Sequence, residues 1–219
     1  MTPPPDATQQ AASALPPRTQ RRRLPASVRT TQILDAALRV FAARGYAKAR
    51  IEDIAAEGQL SKGGIYTHFR SKEEIFGALL SRSLRPMRQA MPTLSADTPV
   101  TVDVLVRQVI EPMYEAIKDP SVLQTLKLLL ADGTLVPHTV ERWHEAMIDT
   151  PLAVIEQLMR RGVVEGTLRN SVLCQAPRLL MSPGAQMMMD LLVQGEPARA
   201  QIARQQAHHT ALLHELLDP

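Results

Sequence analysis

The sequence predicts an all-α protein, with an N-terminal three-helix domain and a larger C-terminal helical domain. Aromatic residues make up only 3% of the 219 residues, which disfavours strands. Apolar residues instead recur at helical spacing along most of the chain. Seventeen prolines separate these helical patterns from one another.

Charge divides the chain into two parts. Residues 1–72 carry 12 Lys and Arg against 5 Asp and Glu, whereas the remainder carries 13 against 17. A basic N-terminal third joined to an acidic body is typical of a DNA-binding domain attached to a regulatory domain. The alternative is that these charges only solvate exposed helix faces.

Composition sets the first segment of the chain apart. Residues 1–26 contain six prolines and no periodic apolar pattern, so we expect a disordered, basic, Pro-rich tail. Its Arg21, Arg22 and Arg23 serve either as a solubilising tail or as an arm that reaches DNA phosphates or the adjacent minor groove. The two remaining segments are residues 27–75 and residues 76–219.

The stretch 50–72 is the most informative part of the chain. Ile51, Ile54 and Ala55 lie on one face of a short helix that has to stop at Gly58. Ser61 is the expected N-cap of a second short helix, which carries polar and basic side chains. Two short helices joined by a Gly-containing turn form a helix-turn-helix, whose second helix can lie in the major groove of DNA.

Helices are also expected on both sides of this motif. The first runs from Val28 to Arg44 and ends at Gly45. The fourth begins near Lys72, with Ser71 as its cap, and extends towards Met91. Residues 92–99 form a loop.

The run from Thr30 to about Leu80 resembles the DNA-binding domain of the TetR family of bacterial transcriptional regulators. The residues that carry this resemblance are Ile33, Ala36, Ala37, Phe41, Gly45, Tyr46, Ile54, Ala55, Ser61, Lys62, Gly63, Ile65, Tyr66, His68, Phe69, Lys72 and Glu73. The family usually has Ala-Gly in the turn where this chain has Gly58-Gln59, so the residue in the turn conformation is expected to be displaced by one position. Arg50 stands where the family often has Thr.

The resemblance implies that residues 27–75 form the helix-turn-helix DNA-binding domain and that residues 76–219 form the ligand-binding and dimerisation domain. It also implies roles for individual residues. Tyr66, His68 and Lys72 are expected to contact phosphates; the alternative for Tyr66 is that its ring packs into the core. The residues expected to face base edges, next to the cap Ser61, are Lys62, Gly63, Gly64 and Thr67, of which Gly64 can offer only close backbone approach or contact with a thymine methyl. Arg50 suits a phosphate contact on chemical grounds, independently of the motif.

The body is expected to be a series of helices separated by helix-breaking residues. The helices are expected over 100–118 with a bend at Pro112, 121–131, 137–161 with a break at Thr150-Pro151, 171–194 with a kink at Ser182-Pro183-Gly184, and 197–217. Gly162 to Asn170 is expected to be a loop. The last two helices carry more Leu and Met than one packed face needs, and the resemblance implies that they pair with a second copy in a four-helix interface.

Five side chains of the body are candidates for a ligand pocket: Met113, Leu126, Trp143, Met147 and Met187. Methionine suits adaptable binding surfaces, and the alternative is that these residues are simply core. No cofactor is expected, and the histidines and Cys174 show no metal-ligand spacing. No catalytic motif is present, which argues against an enzyme.

The predicted function is a homodimeric regulator, in the first instance a repressor, that binds a palindromic operator and is released by a small, mostly apolar molecule. The alternative is a DNA-binding protein or protein-interaction adaptor that responds to no ligand. The lone Cys174 and the lack of an apolar N-terminal segment or membrane span predict a cytoplasmic protein, associated with the nucleoid when bound to DNA.

Overall fold

The computed structural model of the chain describes residues 25–83, residue 85 and residues 98–219. All regular elements within these ranges are helical, as the sequence predicts. The first four helices, which we call the head, are α1 (Ala26–Lys48), α2 (Ile51–Glu57), α3 (Lys62–Tyr66) and α4 (Lys72–Ser83). The predicted tail lies almost entirely in residues 1–24, outside the described residues, as does most of the predicted loop 92–99.

The remaining elements form the body. Its α-helices are α5 (Val102–Leu105), α6 (Glu111–Lys118), α7 (Pro120–Asp132), α8 (Pro137–His144), α9 (Thr150–Glu165), α10 (Val172–Gln175), α11 (Ser182–Gln194), α12 (Glu196–Arg199) and α13 (Ile202–Leu217). Two π-helical segments, Val106–Ile110 and Glu145–Asp149, connect α5 to α6 and α8 to α9. Two short 3-10 helices, Gly133–Leu135 and Pro177–Met181, precede α8 and α11.

Both π-helical segments lie just before a proline inside a longer helical rod. Pro112 follows Val106–Ile110, and Pro151 follows Glu145–Asp149. A proline lacks the N–H for the bond to residue i−4 and its ring collides with that carbonyl, so a widened turn relieves the conflict without ending the helix. The predicted break at Thr150-Pro151 is therefore wrong: the chain stays helical from Pro137 to Glu165.

Other boundaries also differ from those predicted. The first helix ends near Gly45 as expected, because Gly45 has φ 75° and interrupts the helical geometry of α1. Helix α9 runs on to Glu165 and ends at Gly166, which is in the left-handed conformation. The loop after it therefore begins at Gly166, four residues later than predicted. Residues 171–194 form three pieces, and α11 begins at Ser182, where a kink was expected.

The head has its own apolar core. Ile33, Ile54 and Ile65 are fully buried, and the rings of Phe41, Tyr46 and Phe76 pack edge to face or tilted with centroids 5.1–6.3 Å apart. Leu128 and Val136 of the body belong to the same cluster. The head core is thus continuous with α7 and the start of α8, and the predicted boundary at residues 75–76 stays a prediction.

Three polar contacts between described residues join the head to the body. The Tyr46 backbone N–H donates to Asp132 at 2.9 Å, and the Thr139 hydroxyl donates to Glu73 at 2.5 Å. The third contact is buried: the Ser83 hydroxyl donates to that of Thr125 at 2.7 Å. Because α7 and α8 pack directly on α1 and α4, a displacement of either body helix would also shift the helices of the head.

Candidate nucleic-acid interface

The turn between α2 and α3 depends on two residues with different tasks. Gln59 adopts the left-handed conformation, with φ 53°, at the position where the family usually has Gly, so the predicted displacement of the turn residue is wrong. Gly58 has an ordinary φ of −84° and little room for a side chain. A Cβ there would lie 3.2 Å from the Cβ of Ala36 and from the Leu60 side chain, so Gly58 lets α2 approach α1 closely.

Ser61 caps α3, as the sequence predicts. Its hydroxyl oxygen accepts a hydrogen bond from the Gly64 N–H at 3.0 Å. Ile65 is the buried anchor of this short helix, and Phe69 is buried just after it. α3 is therefore held by one apolar side chain and one cap, and its remaining surface faces outward.

The four residues expected to face base edges lie together on this outward surface. Lys62, Gly63 and Thr67 are exposed, and Gly64 is half-buried beneath the Ser61 cap. The Thr67 hydroxyl donates to the carbonyls of Gly63 at 3.1 Å and Gly64 at 2.8 Å, which fixes its rotamer. Its oxygen and methyl group remain on the surface, where they can meet base edges.

The residues expected to contact phosphates differ in how free they are. Tyr66 is 47% exposed, so its ring lies outside the head core and is available to DNA. The His68 ring is half-buried, with Nδ1 3.3 Å from the hydroxyl of Thr30, and α1 thus holds it in place. Arg50 is exposed immediately before α2, and its backbone N–H donates to Asp53 at 2.9 Å.

Lys72 already has partners within the head. Its ammonium donates to the carbonyls of Tyr46 at 2.6 Å, Ala47 at 3.2 Å and Ala49 at 2.9 Å, and lies 4.3 Å from the centre of the Tyr46 ring. Burial lowers the pKa of Lys72, and the nearby Asp132 carboxylate opposes this effect. Lys72 therefore has a structural role beside any phosphate contact, because it satisfies carbonyls at the end of α1.

Several basic side chains of the head form ion pairs with carboxylates, although the head is basic overall. Arg39 pairs with Glu57 at 2.6 Å, and Arg44 pairs with Asp53 at 2.7 Å. Lys62 pairs with Glu52, across the turn of the helix-turn-helix. Glu52 was not predicted as a site residue, although it lies in the first turn of α2, ten residues before Lys62 in the sequence.

The structure separates the five residues predicted to bind a ligand. Leu126, Trp143 and Met147 lie together in a small cluster with Val122, which we call the Trp143 cluster. Met113 and Met187 lie in the large body core. A Cβ on Gly184 of α11 would collide with Met113, which shows how closely α6 and α11 pack.

Trp143 has two further features. Its indole N–H is buried without a hydrogen-bond partner among the described residues, which is costly for a polar group. Its ring also packs against the head core, so it touches both apolar clusters. Met187 instead lines an open groove of about 330 Å³ whose other walls are mostly polar, including Asp190, Arg204 and His208.

Among the described residues, no group of three or more His, Cys, Asp or Glu side chains could hold a metal ion. No helix in the described ranges is long and apolar enough to cross a membrane.

Comparison with known proteins decides the family. The family model for bacterial regulatory proteins of the tetR family matches residues 33–79. The transcriptional repressor SCO4008 of Streptomyces coelicolor is 30% identical over 149 residues, which cover 68% of this chain and 71% of that protein. The chain belongs to the TetR family. A second TetR-type regulator, SrpR of Pseudomonas putida, is 27% identical over 137 residues, which cover 63% of the chain and 62% of SrpR.

Solved structures agree with the TetR fold. SmeT in complex with triclosan matches with a TM-score of 0.71 at 23% identity, over 88% of this chain and 92% of that one. A second structure of SmeT, which is the repressor of the Stenotrophomonas maltophilia multidrug efflux pump SmeDEF, matches with a TM-score of 0.66 at 22% identity. At this identity the likeness shows the fold. The chain is thus an all-α transcriptional regulator of the TetR family and not an enzyme.

Proposed function

We propose that this regulator is a homodimeric repressor that binds a palindromic operator and is released by a small, largely apolar molecule. The observation that carries the DNA-binding part is the outward surface of α3. There, Lys62 and Thr67 stand exposed on a short helix that Ile65 and the Ser61 cap anchor. A helix presented in this way can enter a major groove, with Tyr66, His68 and Arg50 placed at its flanks for phosphates.

Exposed apolar side chains on the terminal helices support dimerisation. Many Leu, Ile and Met residues of the last helices, among them Leu191 and Leu213, are buried within the chain. Other apolar side chains of this region are exposed: Leu179 at 47%, Met189 at 50%, Val193 at 76% and Leu212 at 42%. These side chains lie on α11, on α13 and on the 3-10 helix Pro177–Met181 that precedes α11. Their exposure to water is unfavourable, and a second copy of the chain would cover them.

The Trp143 cluster is the part of the predicted pocket that best supports ligand control. Its side chains are apolar, and the unpaired indole N–H suits a ligand that offers one hydrogen-bond acceptor. Solved relatives of similar fold include a complex with triclosan and a regulator from Saccharomonospora viridis in complex with choline. Those ligands belong to those proteins, and for this chain we propose only the class: small and mostly apolar.

Release follows from the position of Trp143 between two clusters. A ligand beside it displaces α8, which contacts α4 through Thr139 and Glu73 and shares the head core through Val136. The separation of the two heads in the dimer then changes and no longer matches the operator. Allosteric coupling of this kind is typically worth about 1–3 kcal/mol.

The test begins by selecting preferred duplexes from a random pool with the full chain. Trp143 is the only tryptophan, so the emission reports on the place where the body packs against the head core. A library of small apolar compounds is then screened for two signals, a saturable change in emission and loss of the selected duplex. We expect both signals over the same concentration range, because linkage is reciprocal. A Trp143→Phe variant, read by duplex release alone, is the control for ligand contact with the indole.

Two outcomes would contradict parts of the proposal. Selection that yields no preferred duplex would contradict operator binding. A compound that changes Trp143 emission without releasing the duplex, with no compound in the library that does both, would contradict ligand control and favour a regulator that responds to no ligand.

A further inference from the structure

Glu52 and Lys62 form an ion pair across the helix-turn-helix. Glu52 lies in the first turn of α2 and Lys62 is the first residue of α3. The ammonium of Lys62 contacts Oε1 of Glu52, and both side chains are just over half exposed. The pair therefore stands on the outer surface of the motif, beside the residues expected to meet base edges.

The two groups stabilise each other's charged form. The hydrogen bond from Lys62 lowers the pKa of Glu52, with a smaller contribution from Arg50. The carboxylate of Glu52 raises the pKa of Lys62. Both groups lie on the solvated surface of the protein, where such exposed pairs contribute little to stability. Stability of the fold therefore does not account for a carboxylate at this position.

A carboxylate on a DNA-binding surface has a clear cost. Duplex DNA repels it, and a protein that neutralises phosphates with every available lysine binds all sequences more tightly. Lys62 has three N–H donors, so it can keep Glu52 as a partner while donating to the O6 or N7 acceptors of guanine. It cannot keep that partner and also swing out to a phosphate.

We propose that Glu52 is a positioning residue for sequence readout: it holds the Lys62 ammonium over the base edges and withholds that charge from the phosphate backbone. The proposal rests on the proposed operator binding. Its consequence is that Glu52 lowers affinity for DNA in general in order to preserve discrimination between sequences.

Glu57 provides a matched control on the same helix. It is also a surface glutamate paired with a cation, Arg39 at 2.6 Å, but that partner is on α1 and not on α3. Glu52→Gln and Glu57→Gln remove the same charge from α2. Any general effect of net charge on DNA affinity is therefore common to both variants, and circular dichroism checks that both remain folded.

The experiment measures affinity for the selected operator and for a scrambled duplex over a range of salt concentrations. In Glu52→Gln, one freed lysine gained as a phosphate contact steepens the salt slope on scrambled DNA by about 0.9 and raises that affinity about fivefold at 0.15 M salt. Operator affinity should rise less, so the operator-to-scrambled ratio falls. In Glu57→Gln the ratio should stay at the wild-type value.

A double-mutant cycle identifies the route of the effect. If Glu52 acts through Lys62, Glu52→Gln has no effect on the ratio when Lys62→Met is already present. An unchanged ratio in Glu52→Gln, or an equal change in the presence and absence of Lys62→Met, would overturn the inference. If the wild-type chain prefers no duplex at all, the failure is that of the proposed operator binding, which the first selection detects separately.

Discussion

The carboxylate of Asp132, at the last residue of α7, accepts a hydrogen bond of 2.9 Å from the backbone N–H of Tyr46. Tyr46 follows Gly45, whose positive φ ends the regular part of α1 and leaves this N–H outside the helical ladder. The same carboxylate acts on Lys72, which satisfies the neighbouring carbonyls. Asp132, a residue of the body, thus satisfies the backbone of the Gly45-Tyr46 turn in the head.

We expect Asp132→Ala to destabilise the chain because it leaves the buried Tyr46 N–H without its partner. Loss of such a bond costs about 1–3 kcal/mol of the free energy of unfolding, measured by urea titration. Asp132→Asn, which keeps an acceptor oxygen, should lose less. Equal stability of Asp132→Ala and the wild type would show that this contact does not tie α7 to the head.

Gln59→Gly should stabilise the chain. Gln59 holds a φ of 53°, which costs a residue with a side chain about 1 kcal/mol and costs glycine little. The larger entropy of glycine in the unfolded state offsets part of the gain, so we expect a net increase of about 0.5 kcal/mol. Gly58→Ala is the opposing control, because its Cβ would crowd Ala36 and Leu60 and should lower the melting temperature.

Lys72→Ala should lower both stability and DNA affinity. Its ammonium donates to three carbonyls at the end of α1, and loss of charge-assisted bonds of this kind costs about 1.5–3 kcal/mol. Lys48→Ala, in the exposed last turn of α1, serves as the control and should change stability by less than about 0.5 kcal/mol. At temperatures where the variant is fully folded, the predicted phosphate contact requires weaker binding to all duplexes and a shallower salt slope. An unchanged slope would leave Lys72 with the structural role alone.

His209 and Tyr114 should limit stability on both sides of neutral pH. The buried His209 ring has Nε2 2.9 Å from the Leu180 carbonyl and Nδ1 3.3 Å from the Tyr114 hydroxyl. Burial lowers the pKa of His209 below its ordinary 6.5, so below that pH the unfolded chain binds a proton that the folded chain resists, and stability falls as pH decreases. Burial raises the pKa of Tyr114 to about 12, so stability also falls as pH increases above 10.

The acid limb of this profile is assigned by substitution. Urea titrations between about pH 7 and pH 5 should show a smaller loss of stability in His209→Phe than in the wild type, although the variant is less stable at pH 7. His208, one residue away and exposed, gives the control variant His208→Phe, which should keep the wild-type slope. A slope that His209→Phe leaves unchanged would show that other groups set it.

The parts of the fold that the sequence predicted are those with local signals. The Ser61 cap lies three residues from the N–H it binds, and Gly45 and Gly58 mark helix ends by their own geometry. These features need no knowledge of how the helices pack.

The features that were missed depend on packing between distant residues. A proline signals a conflict in a helix, but whether the chain breaks or widens into a π-helical turn, as before Pro151, depends on its neighbours. Lys72 caps carbonyls that lie 23 to 26 residues away, so its second role was invisible. The five candidate pocket residues were chosen by residue type, and type alone cannot show that Trp143 and Met187 lie in different clusters.

A hydroxyl-radical footprint of the full chain on its selected duplex tests the central claim most directly. We predict two protected half-sites related by a two-fold axis, with centres about 34–36 Å apart or a larger separation that keeps them on matching grooves, and two protomers bound per duplex. Lys62→Met should weaken protection of the selected duplex far more than of a scrambled one. A single half-site held by one protomer, or protection spread evenly over any sequence, would contradict the account.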